Sequence, residues 1–295
     1  MNLSNFGMDS VTLAGPLESK LAASKAAGFS QIMLWAKDLA NYPGGLEAAA
    51  RLVRASGVRV TGIQVMRDYE GLDGALHEYK LDIAKNMLRV CQAVGAPLLM
   101  VCSSTSAHAS GDMRRIAQHL AKLATLAVPL GVKVGYEALS WGRHVNHYMQ
   151  SWEAVELADH ANLGVVLDSF HILANQCALD ELDDIPYEKI ALVQLSDYMW
   201  RDIRSAEERL ETARHLRVFP GEGAHAHELS DMLRRLDRAG YRGDYSFEVF
   251  NDDYVQLSPE IVGKRAHASA KWVTDQVLRR SLEVRHGTPA HAAMA

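Results

Sequence analysis

The sequence predicts an α/β protein, a closed (β/α)8 barrel of eight parallel strands alternating with helices, and three observations carry that expectation. Helix-period segments end repeatedly in a glycine suited to the left-handed cap conformation, and an apolar or β-branched run follows at once. The caps recur at the length of one βα unit: Gly28, Gly57, Gly95, Gly131 and Asn162, the last expected to act as Asn can, are spaced 29, 38, 36 and 31 residues apart. Strand candidates are short and continuously apolar rather than alternating, which is the habit of parallel strands covered on both faces. A doubly wound open sheet shares these features, but no Gly-x-Gly-x-x-Gly fingerprint for a dinucleotide opens the first βα turn.

In chain order, a weak first strand is expected near Asp9–Leu13. Clearer runs follow at Gln31–Trp35, Gly62–Val65, Leu98–Cys102, Val132–Tyr136, Gly164–Leu167, Ala191–Leu195 and Tyr245–Val249. Between them, Leu76, Tyr79, Ile83, Met87, Val90 and Val94 recur at three- and four-residue steps and predict a helix buried along that stripe. Ile116, Leu120, Leu123, Ala127 and Leu130 predict another, with Asp112 as its N-cap. Gly240 closes the helix before the eighth strand. One barrel domain is expected over 1–280, followed by a flexible tail over 281–295 that ends in HGTPAHAAMA.

Composition narrows the function. Of 295 residues, 31 are Lys or Arg and 36 Asp or Glu, and a net charge of −5 argues against a chain that wraps nucleic acid. The 48% hydrophobic and 23% charged content is that of an ordinary globular protein. No basic residue precedes Lys20 and no apolar run approaches the roughly 20 residues of a membrane span, so a cytoplasmic protein is expected. Cys91, Cys102 and Cys177 are odd in number and read as small core residues rather than a disulfide framework. Trp152, Trp200 and Trp272 read as core or interface, and a homo-oligomer is compatible with the sequence.

In a barrel of this kind chemistry sits where the strands end. There the sequence places Glu137 after the fifth strand, Asp168 with His171 after the sixth, Gln194 in the seventh and Glu248 in the eighth. A lone strand-end carboxylate is more often salt-bridged than functional, but these four oxygen donors lie on consecutive strands that share one mouth. Clustered carboxylates repel unless a cation lies among them, and oxygen donors favour Mn²⁺, Mg²⁺ or Co²⁺. Arg67 after the third strand and Arg217 before the Pro220–Gly223 turn suit a substrate carboxylate. His108, His144, His147, His225 and His227 read as surface scatter.

With these residues in hand, the chain resembles the xylose-isomerase-like TIM-barrel superfamily. Within it, YEALSWGRHVNHY, LGVVLDSFH, VQLSD, RVFPGEG, FEVFND, VMRDYEG and VCSSTS are similar to segments of the bacterial 3-dehydroshikimate dehydratases, over about residues 10 to 275. The resemblance implies one divalent cation (Mn²⁺, Co²⁺ or Mg²⁺) on Glu137, Asp168, Gln194 and Glu248, catalysis by His171 and Glu137, and Arg67, Ser103 and Arg217 facing a small carboxylated cyclic polyol. It implies a metal-dependent lyase that dehydrates 3-dehydroshikimate to protocatechuate through an enediolate. Gln194 stands where many sugar isomerases of the superfamily have His, and Ala36 where relatives commonly have Glu. Some relatives carry a dioxygenase-like C-terminal domain, for which this chain is expected to be too short. The alternatives are a divalent-metal ketose isomerase or epimerase, and a non-catalytic ligand-binding barrel. An abasic-site endonuclease, with a His-rich zinc cluster and a basic face, fits the acidic chain less well.

Overall fold

The computed structural model describes residues 3–278. The expected tail over 281–295 lies outside the described residues. Eight parallel strands close into a barrel in sequence order: β1 (Phe6–Asp9), β2 (Gln31–Trp35), β3 (Arg59–Met66), β4 (Leu98–Cys102), β5 (Lys133–Glu137), β6 (Leu163–Asp168), β7 (Ile190–Leu195) and β8 (Tyr245–Phe247). The helices around it are α1 (Leu17–Ala26), α2 (Ala36–Ala40), α3 (Gly45–Ser56), α4 (Gly74–Val94), α5 (Met113–Ala127), α6 (Tyr148–Ala158), α7 (Ser169–Ala174), α8 (Ala206–His215), α9 (Ala226–Ala239) and α10 (Pro259–Lys271). A π-helical turn over Trp272–Leu278 continues α10.

Local chemistry explains the borders. Gly57, Gly95 and Gly240 close α3, α4 and α9 with positive φ, and Gly28 and Gly131 take the same conformation. Asn162 does not: the left-handed cap of α6 is Asp159, and the Asn162 amide instead donates to the carbonyls of Ala124 and Val132. Asp112 caps α5 as expected, accepting from the Arg114 N–H. The first strand begins earlier than the sequence suggests, because Asp9 ends it by capping a 3-10 turn over Ser10–Thr12.

The face of α4 is also rotated from the expected stripe. Ala84, Leu88, Cys91 and Val94 are buried, whereas Leu76 and Tyr79 are exposed and Ile83, Met87 and Val90 flank the contact. Small side chains at the centre let the helix lie close, so the larger ones fall to its sides. The stripe of α5 is buried from Ile116 to Ala127, with Leu130 half-buried beyond it.

Most apolar side chains form one layer between strands and helices, including Cys91. A separate cluster of Met33, Leu98, Met100, Val166 and Leu192 from β2, β4, β6 and β7 fills the barrel's inside. The seam is closed by β1 pairing with both β2 and β8. Beyond β8 the ladder is continued by one side chain: the Thr12 hydroxyl donates to the Phe247 carbonyl and accepts from the Val249 N–H. Among the described residues no helix is long and apolar enough to cross a membrane. Cys91, Cys102 and Cys177 are free thiols; Trp152 and Trp272 pack on the core while Trp200 is exposed.

Candidate active site

At the C-terminal ends of the strands lies a cavity of about 580 Å³, lined on one side by Glu137, His171, Arg217 and Glu248. The facing wall is Trp35, Ala36, Val65, Arg67, Met100 and Cys102. That volume suits a small organic substrate.

The acidic wall follows from strand register. Asp168 pairs with Gln194 across β6 and β7, and Glu137 ends β5 beside them. Glu137, Asp168, Gln194 and Glu248 are all buried. Burial, then Asp168 and Glu248, hold the Glu137 carboxyl well above the usual range. Burial raises Glu248 to about 7, with Arg217 opposing the rise and Asp168 adding to it. Against the same penalty of burial, Arg217 and His171 pull Asp168 below its ordinary value. The three carboxyls therefore resist being ionised together without more positive charge than Arg217 supplies.

The donor set fits a divalent cation. Glu137 Oε1 and Gln194 Oε1 are buried and have no hydrogen-bond partner among the described residues. A buried oxygen left unpartnered costs on the order of 1–3 kcal/mol, so two of them at one strand-end cluster mark acceptors built for something else. Glu137, Asp168 and His171 bring donor atoms within 4.8 Å of one another. His171 is nevertheless set apart from the oxygens. Its Nδ1 accepts from the Ser140 backbone N–H at 3.1 Å and lies 3.0 Å from the Ser140 hydroxyl, so the neutral ring carries its proton on Nε2. Nε2 faces Asp168 Oδ2 at 3.5 Å and Glu137 Oε1 at 4.0 Å. Burial pushes the His171 pKa down to about 3, which keeps the ring neutral, and the edges of Trp141 and Phe170 fix its plane.

The expected substrate residues separate into three cases. Arg67 is exposed at the cavity rim on the wall opposite the carboxylates. Arg217 is buried, and its Nη1 donates to Asp168 Oδ2 at 2.7 Å and Glu248 Oε2 at 3.0 Å while Nε donates to the Ala213 carbonyl. It lines the cavity, but its charge is committed first to these two carboxylates. The turn that follows has Pro220 and Gly221 at its centre, the Glu222 N–H donating to the Phe219 carbonyl and Gly221 at φ of 89°, while the contacts that hold the Arg217 side chain are those to Asp168, Glu248 and the Ala213 carbonyl. Ser103 is not among the cavity residues; its Oγ accepts from the Leu139 N–H and ties down the loop after β5.

Two features escape a reading of the sequence. Asp9 is fully buried and accepts from the side-chain amides of Gln64, at 2.5 Å, and Gln194, at 3.4 Å. A single acidic residue in a weak strand gave no signal of this, apart from its place at a strand end. His225 is not surface scatter: it is buried with Nδ1 2.9 Å from Asp197 Oδ1. His147 caps α6 and His144 lies against the Ala109 carbonyl, while His108 and His227 are exposed.

A family model described as the xylose isomerase-like TIM barrel matches residues 21–276. A 3-dehydroshikimate dehydratase of Pseudomonas putida is 38% identical over 246 residues, which are 83% of this chain and 38% of that protein. The match thus spans less than two-fifths of the relative's length. An inosose isomerase of Halalkalibacterium halodurans is 31% identical over 203 residues, 68% of each chain. Among solved structures, a xylose isomerase-like TIM barrel/4-hydroxyphenylpyruvate dioxygenase fusion protein superposes with a TM-score of 0.88 at 33% identity, covering 99% of this chain and 46% of the other.

Proposed function

The chain belongs to the xylose isomerase-like TIM barrel family, and from that premise we propose that it is a divalent-metal lyase that removes water from 3-dehydroshikimate to give protocatechuate. The observation that carries this reading is the pair of unpartnered buried oxygens, Glu137 Oε1 and Gln194 Oε1, at the strand ends, with exposed Arg67 on the other wall of the cavity that Glu137 lines. The first suits an electrophilic cation, the second an anionic substrate. Similarity to the dehydratase of Pseudomonas putida supports the choice of substrate.

Glu137, Asp168, Gln194 and Glu248 would hold the cation. When bound, it supplies a Lewis acid that draws charge from the substrate ketone, making the neighbouring C4 proton acidic enough to remove. Arg67 grips the C1 carboxylate and so sets the ring's orientation. The C4 proton passes to Glu137 and His171, whose Nε2–H lies beside Glu137 and Asp168, and from this pair to the C5 hydroxyl, which leaves as water. Loss of a C6 proton completes the aromatic ring. Arg217 keeps Asp168 and Glu248 aimed at the mouth. The apolar groups of Trp35, Val65 and Met100 suit the ring faces and limit water.

An isomerase acting on an inosose or ketose uses similar chemistry, and the inosose isomerase relative favours it as the second reading. Incubation of Mn²⁺-, Co²⁺- or Mg²⁺-loaded protein with 3-dehydroshikimate, followed by ultraviolet absorbance, separates the two. An aromatic product is expected. Turnover of an inosose with none of 3-dehydroshikimate would replace this reading with the second.

A further inference from the structure

Asp9 has no part in the scheme above, yet it is fully buried at the end of β1, and its side chain bonds to Gln64 of β3 and Gln194 of β7. Its two oxygens have different partners. Oδ1 takes two donors, the Gln64 amide at 2.5 Å and the Val11 backbone N–H at 3.3 Å. Oδ2 takes the Gln194 amide nitrogen at 3.4 Å. A glutamine amide, unlike a carboxylate, has a wrong way round: one end accepts and the other only donates. With Nε2 drawn to Asp9, the Oε1 of Gln194 is the end left over, buried and without a partner. Turned by 180°, the amide would set Oε1 against the carboxylate, oxygen to oxygen, and present an NH₂ to any cation.

We propose that Asp9 is a positioning residue that turns the carbonyl oxygen of Gln194, rather than its amide nitrogen, toward the cation site. The inference rests on the cation site proposed above, and adds to it the reason a glutamine can serve there. Partners of this kind behind a metal ligand typically change affinity by about 10–100-fold when altered.

The test exploits the asymmetry of Asp9's partners. In Asp9→Asn the Val11 N–H cannot turn round, so the single carbonyl oxygen of Asn stays at the Val11 and Gln64 side. Its NH₂ then faces Gln194, which must offer Oε1 in return and send its own NH₂ toward the cation. All three hydrogen bonds of residue 9 remain satisfied and Asn still caps the 3-10 turn, so thermal unfolding of the metal-free protein should be close to wild type. Mn²⁺ affinity by calorimetry should nonetheless fall by about 10–100-fold, with a changed visible spectrum of the Co²⁺ form. Asp9→Asn combined with Gln194→Glu should recover affinity to within a few-fold, because a carboxylate at 194 accepts from Asn and still offers the cation an oxygen. Wild-type affinity in Asp9→Asn, or no recovery in the double variant, would overturn the inference. Wild-type protein that takes up no Mn²⁺ would overturn the cation site itself, and the inference with it.

Discussion

The two walls of the cavity differ in kind. On one wall stand Glu137 at the end of β5, Glu248 just past β8 and the guanidinium of Arg217, backed by Asp168 of β6 and Gln194 of β7, and all of these are buried. Strands β2 to β4 contribute Trp35, Val65, Met100 and Cys102, with Arg67 exposed at the rim. One wall concentrates charge in a dry place, where electrostatic interactions are strong and unpaired groups costly. The other supplies shape and a single solvated cation. A substitution on the first wall should therefore strike chemistry or stability, and on the second mostly fit.

The largest effect expected is from removing the cation. EDTA should abolish turnover and Mn²⁺, Co²⁺ or Mg²⁺ should restore it; full activity in exhaustively demetallated protein would erase the distinction between the walls. Next, His171→Ala should lower kcat by about 10²–10⁴ while bound metal, measured on the same sample, is retained. Metal lost in proportion to activity would make His171 a ligand instead.

The two arginines sharpen the contrast further. Arg217→Met leaves Asp168 and Glu248 without their buried counter-charge and should cost about 3–5 kcal/mol in denaturant unfolding of the metal-free protein. Arg67→Ala should leave unfolding unchanged and lower kcat/KM by about 2–4 kcal/mol through the lost substrate carboxylate. Equal stability losses in both would mean that Arg67 is a structural residue. Smallest of all, Met100→Leu conserves volume on the apolar wall and should cost less than about 1.5 kcal/mol, with activity within a few-fold. A large loss of kcat there would show that the second wall does more than shape the ring site.

The same division governs how far the sequence could be read. Strands buried on both faces are continuous apolar runs, so Gln31–Trp35 and Leu98–Cys102 match β2 and β4 residue for residue. The donors of β5 to β8 stand out because each is a polar residue closing or interrupting such a run. What stayed hidden depends on pairing across the fold. Arg217 reads as a substrate-facing arginine until β6 and the segment after β8 bring Asp168 and Glu248 to it. Asp9 lies in FGMD, four residues with a glycine and no apolar run, so neither the strand nor the contact with Gln194 has a local signature. The face of α4 departs from the expected stripe because periodicity weighs large side chains, whereas close approach selects Ala84 and Cys91.

The seam between the ends of the barrel also bears on the order in which the molecule is made. Thr12 and Val249, which it joins, are 237 positions apart, and Glu248 sits between the two backbone groups that Thr12 holds. Contacts this distant in the chain are slow to form, because the loop entropy is lost before the contact returns anything. A chain of which only the first seven strands have left the ribosome still lacks Glu248, the fourth of the proposed oxygen donors. Barrel closure and completion of the proposed site therefore depend on the same segment, since the four proposed oxygen donors come together only once the eighth strand has docked against the first.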